Sequence, residues 1–154
     1  MAEALFGDYA PNGKLPVTFY QGTENLPEFT DYSMAGRTYR YTDKNILYPF
    51  GYGLTYGTIS YSGAKTEQET SAVLDDVTVC TKVKNESAYP LHESVEVYVK
   101  YKNAQPDEPG FQLKGTACVE LQAGEEKRGF RDTACKRFCC YHRGRRMCHT
   151  AGRV

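Results

Sequence analysis

In three stretches of this 154-residue chain, residues of one kind recur at every second position, with a different kind of residue between them. β-Branched or aromatic residues hold the odd positions of 77–83 and 95–101, and apolar residues do so at the end of 113–121. Because successive side chains of a strand point to opposite faces, this alternation predicts half-buried antiparallel strands. Turn-rich connections separate the three stretches, and their spacing favours an immunoglobulin-like β-sandwich.

The aromatic residues agree with a β fold. The chain has 13 Tyr and 7 Phe but no Trp, and most of the tyrosines precede Lys102. Tyrosine suits a half-buried sheet surface, because its ring can be covered while its hydroxyl stays hydrated. The length allows one ordinary domain, or a small domain with an appended segment.

The charge balance argues against two classes of partner. Lys and Arg together number 19, as do Asp and Glu, which disfavours a dedicated binder of nucleic acid or of a membrane surface. No apolar run is long enough to cross a bilayer. From Lys127 to Val154 the composition changes, because basic residues there accompany a single acid, Asp132.

The first 58 residues lack the β pattern. Residues 2–6 favour a helix that stops at Gly7, Pro11-Asn12-Gly13 predicts a tight turn, and 15–19 predicts a short strand. These elements make half of an α/β unit that has no partner strand in view. The stretch 21–56 is rich in Gly, Pro and Tyr without periodicity, so we expect it to cross the surface of a larger body.

Several motifs occur in the order typical of one enzyme family. Residues 5–19, LFGDYAPNGKLPVTF, resemble the end of the α/β-sandwich domain of family 3 β-glucosidases and β-xylosidases. Residues 39–41, YRY, and 47–56, LYPFGYGLTY, resemble the segment that joins this domain to a fibronectin type III-like domain. Residues 112–115, QLKG, and 121–127, LQAGEEK, resemble later strands and turns of that last domain.

The resemblance, which covers residues 2 to about 128, implies a mainly β chain. We expect an incomplete immunoglobulin-like (fibronectin type III-like) β-sandwich preceded by a remnant of an α/β-sandwich domain. The implied division is 1–20 for the end of the α/β-sandwich domain, 21–58 for an interdomain strap, 59–128 for the incomplete sandwich and 129–154 for an aberrant tail. Since the sandwich would lack its last strands, we expect an exposed edge, poor solubility and self-association.

The family resemblance also implies an activity that this chain cannot perform alone. Family 3 enzymes hydrolyse β-glucosides or β-xylosides with two carboxylates about 5 Å apart, a nucleophile and an acid/base. The resemblance places the nucleophile in an N-terminal barrel and the acid/base upstream of residue 1. No catalytic residue, cofactor or metal is therefore assigned here, and the acids of the matched region align with neither role: Asp8, Glu24, Glu28, Asp31 and Asp43.

Five residues of the strap are candidates for the rim of a sugar site in the parent enzyme: Tyr32, Arg37, Tyr39, Arg40 and Tyr41. Aromatic rings can stack on sugars, and Arg can donate hydrogen bonds to their hydroxyls. The alternative for the same residues is packing between domains. In this interpretation the partners are the missing N-terminal barrel and α/β domains, with a glycan as a further candidate.

The tail holds four of the six cysteines, Cys135, Cys139, Cys140 and Cys148, together with two histidines. Their spacing matches no standard zinc site. A one-nucleotide shift of the reading frame permits an alternating strand followed by a turn across this stretch, so we interpret the tail as frameshifted. The nucleotide sequence tests this interpretation. Because the first 79 residues hold no cysteine, the cysteines indicate no compartment.

The sequence thus predicts a non-catalytic C-terminal part of a family 3 glycoside hydrolase. The alternative is a free-standing β-sandwich module that binds a glycan or a protein. A third class, a zinc- or RNA-binding protein built on the tail, rests on the cysteines and on Arg143-Gly144-Arg145-Arg146. Asn85-Glu86-Ser87 is a formal glycosylation sequon that we interpret as a turn.

Overall fold

The structure is a computed structural model that describes residues 1–42, 44–66, 76–100, 104, 108–128, 137–139 and 148–149. The helices are α1 (Ala2–Phe6) and α2 (Thr38–Tyr41), with a short 3₁₀ turn at Thr23–Asn25. The strands are β1 (Phe19–Tyr20), β2 (Ile46–Tyr48), β3 (Ile59–Thr66), β4 (Asp76–Asn85), β5 (Leu91–Lys100), β6 (Phe111–Leu121), β7 (Glu126–Arg128), β8 (Arg137–Cys139) and β9 (Cys148–His149).

The long strands form two antiparallel sheets. The first has the order β3-β4-β7, with β8 also paired to β4, and the second has the order β6-β5-β9. The predicted runs 77–83 and 113–121 lie within β4 and β6, and 95–100 lies within β5. Tyr101, the last residue of that run, lies outside the described residues. The prediction of a mainly β fold is confirmed.

The core lies between the two sheets. Val83 of β4 packs in one buried cluster with Val95 of β5 and with Val119 and Leu121 of β6. All four occupy odd positions of their strands, as the alternation predicts. Full burial of such aliphatic side chains stabilises a fold by about 1.5–3 kcal/mol each.

The N-terminal region agrees with the sequence in part. Helix α1 ends at Gly7, whose φ of 87° is the left-handed conformation that glycine adopts without strain. The predicted tight turn at 11–13 is wrong, since this segment is irregular and Asn12 is hydrogen-bonded to Tyr9 and Ser94 instead. The predicted strand 15–19 is shorter, because β1 begins at Phe19.

Strand β1 pairs with β2 as a two-stranded ribbon, which sequence reasoning missed. Farther along the ribbon, the Leu15 N–H donates to the Tyr52 carbonyl at 2.8 Å and the Gly51 N–H donates to the Leu15 carbonyl at 2.8 Å. These bonds bring the segment around residue 15 beside residues 51–52. The motifs at 5–19 and 47–56 therefore belong to one structural unit.

The Asn85 sequon is structural. Its side chain is fully buried, and its amide donates to the Tyr89 carbonyl at 2.8 Å and to the Gln122 carbonyl at 3.1 Å. Its side-chain oxygen accepts the Ser87 N–H at 2.9 Å. Asn85 thus ties the β4–β5 connection to the turn after β6, and its amide nitrogen is not available to a glycan.

Two short strands lie in the tail, where the sequence shows no strand pattern. β8 pairs with residues 76–78, and β9 pairs with Val99 and Lys100. Backbone pairing of two or three residues needs no alternation, so the pattern could not reveal it. Among the described residues, no helix has the length and apolar character needed to traverse a bilayer.

Candidate functional site

The first third of the chain covers the outer face of β5. Even-numbered side chains of β5 point away from the sandwich core, yet four of them meet N-terminal residues. His92 contacts the Tyr9 ring at 5.6 Å between centroids, and Ser94 accepts a hydrogen bond from Asn12 at 3.4 Å. Glu96 and Tyr98 lie against Gly51, where any side chain would collide with both. This sheet is therefore covered on both faces.

Tyr39 is the centre of an aromatic cluster on that outer face. Its ring stacks on Phe50 with a centroid distance of 4.1 Å and an interplanar angle of 15°. The edges of Tyr98 and Phe111 meet the same ring at 6.3 and 5.4 Å. Such aromatic pairs contribute about 0.5–1.5 kcal/mol each beyond the area they bury. The cluster holds the strap on strands β5 and β6.

Polar contacts fix the orientation of the Tyr39 ring. Its hydroxyl accepts the Leu113 N–H at 3.2 Å and the Arg40 Nε–H at 3.5 Å. The Gly110 N–H donates to the Arg40 carbonyl at 2.6 Å. With 9% of its surface exposed, Tyr39 has little ring area left for a ligand.

Tyr98 extends the cluster toward a carboxylate. Its hydroxyl donates to Glu96 Oε2 at 2.6 Å. Burial, together with this hydrogen bond to an acid, raises the pKa of Tyr98 far above its ordinary value of 10.0. Tyr98 therefore acts as a neutral hydrogen-bond donor at any physiological pH.

Arg37 organises the loop that precedes α2 in the sequence. Its guanidinium donates to the carbonyls of Glu28 at 2.8 Å, Asp31 at 2.7 Å and Ser33 at 3.1 Å. Asp31 in turn accepts the N–H and the hydroxyl of Ser33, and the backbone bond is the main reason that the pKa of Asp31 is lowered. We call residues 28–37 the arginine loop.

The arginine loop presents two exposed rings. Phe29 is 93% exposed and Tyr32 is 91% exposed, although Arg37 donates hydrogen bonds to a carbonyl between them and to the carbonyls just before and just after them. Arg40 is exposed and Tyr41 half-buried beyond the loop. Of the five rim candidates, Tyr32 thus offers an open ring, Arg37 is engaged with carbonyls, and Tyr39 is buried in the cluster.

A buried carboxylate that sequence reasoning missed lies on the inner face of β5. Glu93 is 5% exposed, and its Oε1 accepts the Tyr61 hydroxyl at 2.7 Å and pairs with Lys14 Nζ at 3.1 Å. The signal in the sequence was an acid at an odd position, between Leu91 and Val95, where the alternation calls for an apolar residue.

Exposed apolar side chains are concentrated in the N-terminal third. Of the sixteen large hydrophobic residues that are exposed in the described part of the chain, fourteen lie within 1–56. The exceptions are Tyr61 and Tyr89. Among the described residues, the sandwich thus exposes few large apolar side chains, whereas residues 1–56 expose many.

No group of three or more His, Cys, Asp or Glu suited to a metal occurs within the described ranges. The zinc alternative concerned residues that include Cys135, Cys140 and His142, and these lie outside the described residues. The frameshift interpretation of 129–154 likewise stays a prediction.

Comparison with known proteins identifies the sequence motifs. The glycosyl hydrolase family 3 C-terminal domain matches residues 1–56. A xylan 1,4-β-xylosidase of Xylanibacter ruminicola is 44% identical over 126 residues, which cover 81% of this chain and 14% of the xylosidase. A probable β-glucosidase I of Aspergillus niger is 38% identical over 144 residues, covering 82% of this chain and 18% of that protein. The chain thus spans less than a fifth of these relatives.

Solved structures show the same likeness in three dimensions. β-Glucosidase 3B from Thermotoga neapolitana matches with a TM-score of 0.69 and 27% identity, over 83% of this chain and 20% of that one. A β-glucosidase from Erythrobacter marinus matches with a TM-score of 0.67 and 32% identity, over 83% of this chain and 17% of that one. The ordered motifs, the fold and these relatives agree, and the chain belongs to the C-terminal region of glycosyl hydrolase family 3.

Proposed function

We propose that this chain is the non-catalytic C-terminal part of a retaining β-glycosidase whose intact form hydrolyses β-glucosides or β-xylosides. The observation that carries the proposal is the 44% identity to a xylan 1,4-β-xylosidase, which extends over 81% of this chain but 14% of the xylosidase. The mechanism needs two carboxylates on a rigid scaffold. Asp31, an acid of the arginine loop, is committed to its bonds with Ser33.

The partner in this proposal is the rest of the enzyme, an N-terminal barrel and the main body of an α/β domain. The exposed apolar residues of 1–56 support it, because a concentration of exposed apolar side chains in one segment is typical of a protein interface. Leu5 and Phe6 of α1 and Val17 and Phe19 near β1 are examples. Strand β1 also belongs to a ribbon of two strands, which is too small to be stable without further packing.

Within this proposal Tyr32 is the strongest of the five candidates for contact with a sugar. Its ring is open on a loop whose backbone is fixed, so stacking would cost little conformational entropy. Arg37 has an indirect role, because its hydrogen bonds shape the loop that carries Tyr32. Arg40 lies eight residues after Tyr32 and is exposed. Tyr39 contributes by holding the strap in place.

A chimera tests the proposal. Residues 1–128 of this chain replace the matching segment of the Xylanibacter ruminicola enzyme, and turnover of aryl β-xylosides is measured beside the parent enzyme and the isolated 154-residue chain. We expect activity within about tenfold of the parent for the chimera, and none for the isolated chain. An inactive but folded chimera, or an active isolated chain, would contradict the proposal.

The same chimera separates the roles of two tyrosines in the strap. Tyr32→Ala should raise KM several-fold with little change in kcat, as expected for loss of a ground-state contact with the sugar. Tyr39→Ala should instead lower the melting temperature of the chimera. An unchanged KM in the Tyr32→Ala chimera would remove Tyr32 from the sugar site.

A second candidate function is a free-standing glycan-binding module, which the open rings of Phe29 and Tyr32 favour. Retention of the isolated chain on immobilised xylan or cellulose tests it, with the Phe29→Ala/Tyr32→Ala variant as the control. Retention of the wild type and loss in the variant would support this function. Equal elution of both proteins would exclude it.

A further inference from the structure

We propose that Lys14, Glu93 and Tyr61 form a latch that fixes the N-terminal segment to one edge of the β-sandwich. The three residues come from three different parts of the chain: the segment before β1, the strand β5 and the strand β3. The latch concerns the packing of this chain alone, so it holds whether or not the proposed glycosidase function is correct.

The first argument is the position of Glu93. Its neighbours on the inner face of β5 are Leu91 and Val95, which are 0% and 5% exposed. A carboxylate at this level of burial loses most of its hydration and needs charged or hydrogen-bonding partners. Among the polar and charged side chains that the structure describes, two are buried: Asn85 and Glu93.

The second argument is the identity of the partners. Both bonds reach the same oxygen, Oε1, with Tyr61 at 2.7 Å from the opposite sheet and Lys14 at 3.1 Å from the N-terminal segment. Hydrogen bonds to charged groups contribute about 1.5–3 kcal/mol. One carboxylate oxygen therefore joins both sheets and the segment that precedes them.

The third argument is the path of the N-terminal segment. Asn12 contacts Ser94 on the outer face of β5, while Lys14 contacts Glu93 on the inner face. A segment that touches both faces must pass around an edge, and β6 occupies the other edge of β5. Along 91–98 the remaining edge pairs with no strand among the described residues, since β9 pairs at 99 and 100. The latch thus closes over an open edge.

In this ion pair the Glu93 carboxylate is buried and the Lys14 side chain is 26% exposed, and within the proposal the pair specifies geometry more than it adds stability. Replacing such a pair by apolar residues of similar size is often neutral or stabilising, whereas removing one partner is costly. We therefore expect that mutation of the latch can release the N-terminal segment from the sandwich without lowering the stability of the sandwich.

Amide hydrogen exchange of the full chain tests the latch. The amides of Leu15 and Gly51, which bond to Tyr52 and Leu15, report on the N-terminal segment. The Asn85 amide, which bonds to Glu125, reports on the sandwich. In Lys14→Met, which keeps the length of the side chain but removes the charge, Leu15 and Gly51 should exchange at least about tenfold faster while Asn85 stays within about twofold.

Three further variants make the test decisive. Glu93→Gln should reproduce the pattern of Lys14→Met, and the double variant should add little, since both remove the same bond. Lys82→Met, which breaks the more exposed pair of Lys82 with Glu126 at 3.4 Å, is the matched control and should leave Leu15 and Gly51 unchanged.

The triple variant Lys14→Met/Tyr61→Phe/Glu93→Leu removes every member of the latch. We expect a cooperatively folded sandwich with a protected Asn85 amide but fast exchange at Leu15 and Gly51. The proposal is overturned if Leu15 and Gly51 stay protected in Lys14→Met and Glu93→Gln. It is also overturned if all three amides accelerate equally, because the residues would then support only global stability.

Discussion

Individual buried polar residues carry much of the specificity in this chain. Asn85 satisfies three carbonyl or amide groups of the two connections beside it, and it is fully buried. A sequon pattern reveals a turn at this position but not the Gln122 carbonyl as a partner, because that residue lies 37 positions away in the sequence. Burial and partners at this scale depend on tertiary contacts that local sequence does not encode.

Asn85→Ala should destabilise the sandwich by about 2–4 kcal/mol, since it leaves several buried backbone groups without partners. Chemical denaturation monitored by circular dichroism measures this loss. The control is Asn12→Ala, whose partners Tyr9 and Ser94 lie near the surface, and its cost should stay below about 1 kcal/mol. Equal losses in the two variants would contradict the role given to Asn85.

Tyr39 and Tyr32 form a second matched pair within the strap. Tyr39→Ala should cost about 3–5 kcal/mol, because a buried ring and its stacking contact with Phe50 are both lost. Tyr32→Ala should change the free energy of unfolding by less than about 0.5 kcal/mol, since its ring is 91% exposed. Urea denaturation of the isolated chain compares them, and similar losses would show that the exposed ring also packs.

The secondary structure elements divide into those the sequence predicts and those it cannot. Strands β4 and β5 follow from alternation over seven residues, β6 follows from the shorter alternation at its end, and α1 follows from its glycine stop. The pair β1–β2 and the strands β8 and β9 are two or three residues long, which is too short for a period to appear. The sequence also did not predict that Tyr39 and Phe50 pack on Tyr98. The alternation within β5 indicates that its outer face is exposed to solvent.

Strands β3 and β5 each place a tyrosine hydroxyl against a carboxylate, and this predicts a pH dependence. Burial raises the pKa of Tyr61 and of Tyr98 well above 10.0, and the bonds to Glu93 and Glu96 raise it further. The folded state therefore binds more protons than the unfolded state once the pH exceeds 10.0. The stabilisation is complete below this pH and is lost as the pH rises above it.

Ultraviolet titration of tyrosinate checks this expectation. In the folded chain, Tyr61 and Tyr98 should ionise above pH 10.0, together with alkaline unfolding. Tyr61→Phe and Tyr98→Phe should each remove part of the late absorbance change. A titration in which every tyrosine ionises near pH 10.0 would contradict the hydrogen bonds to the carboxylates.

Exposed apolar side chains are distributed unevenly over the molecule. Of those in the described part of the chain, nearly all lie within 1–56, so the isolated chain should self-associate in a concentration-dependent manner. Leu5→Ser/Phe6→Ser, at two open positions of α1, should reduce the association measured by analytical ultracentrifugation without lowering stability. Glu3→Ser on the same helix is the control. A monodisperse wild-type chain would contradict this expectation.

The packing of the N-terminal residues on the outer face of β5 also determines where this chain can be truncated for expression. A recombinant piece that began at residue 59, where the sandwich strands start, would remove Tyr39 from the rings of Tyr98 and Phe111. It would also remove Phe50 and Gly51 from Tyr98. It would then expose these aromatic rings and leave the Glu93 carboxylate without its cationic partner Lys14, with Tyr61 as its remaining donor. Residues 9–57 are thus as much a part of the smallest usable expression fragment as the strands themselves.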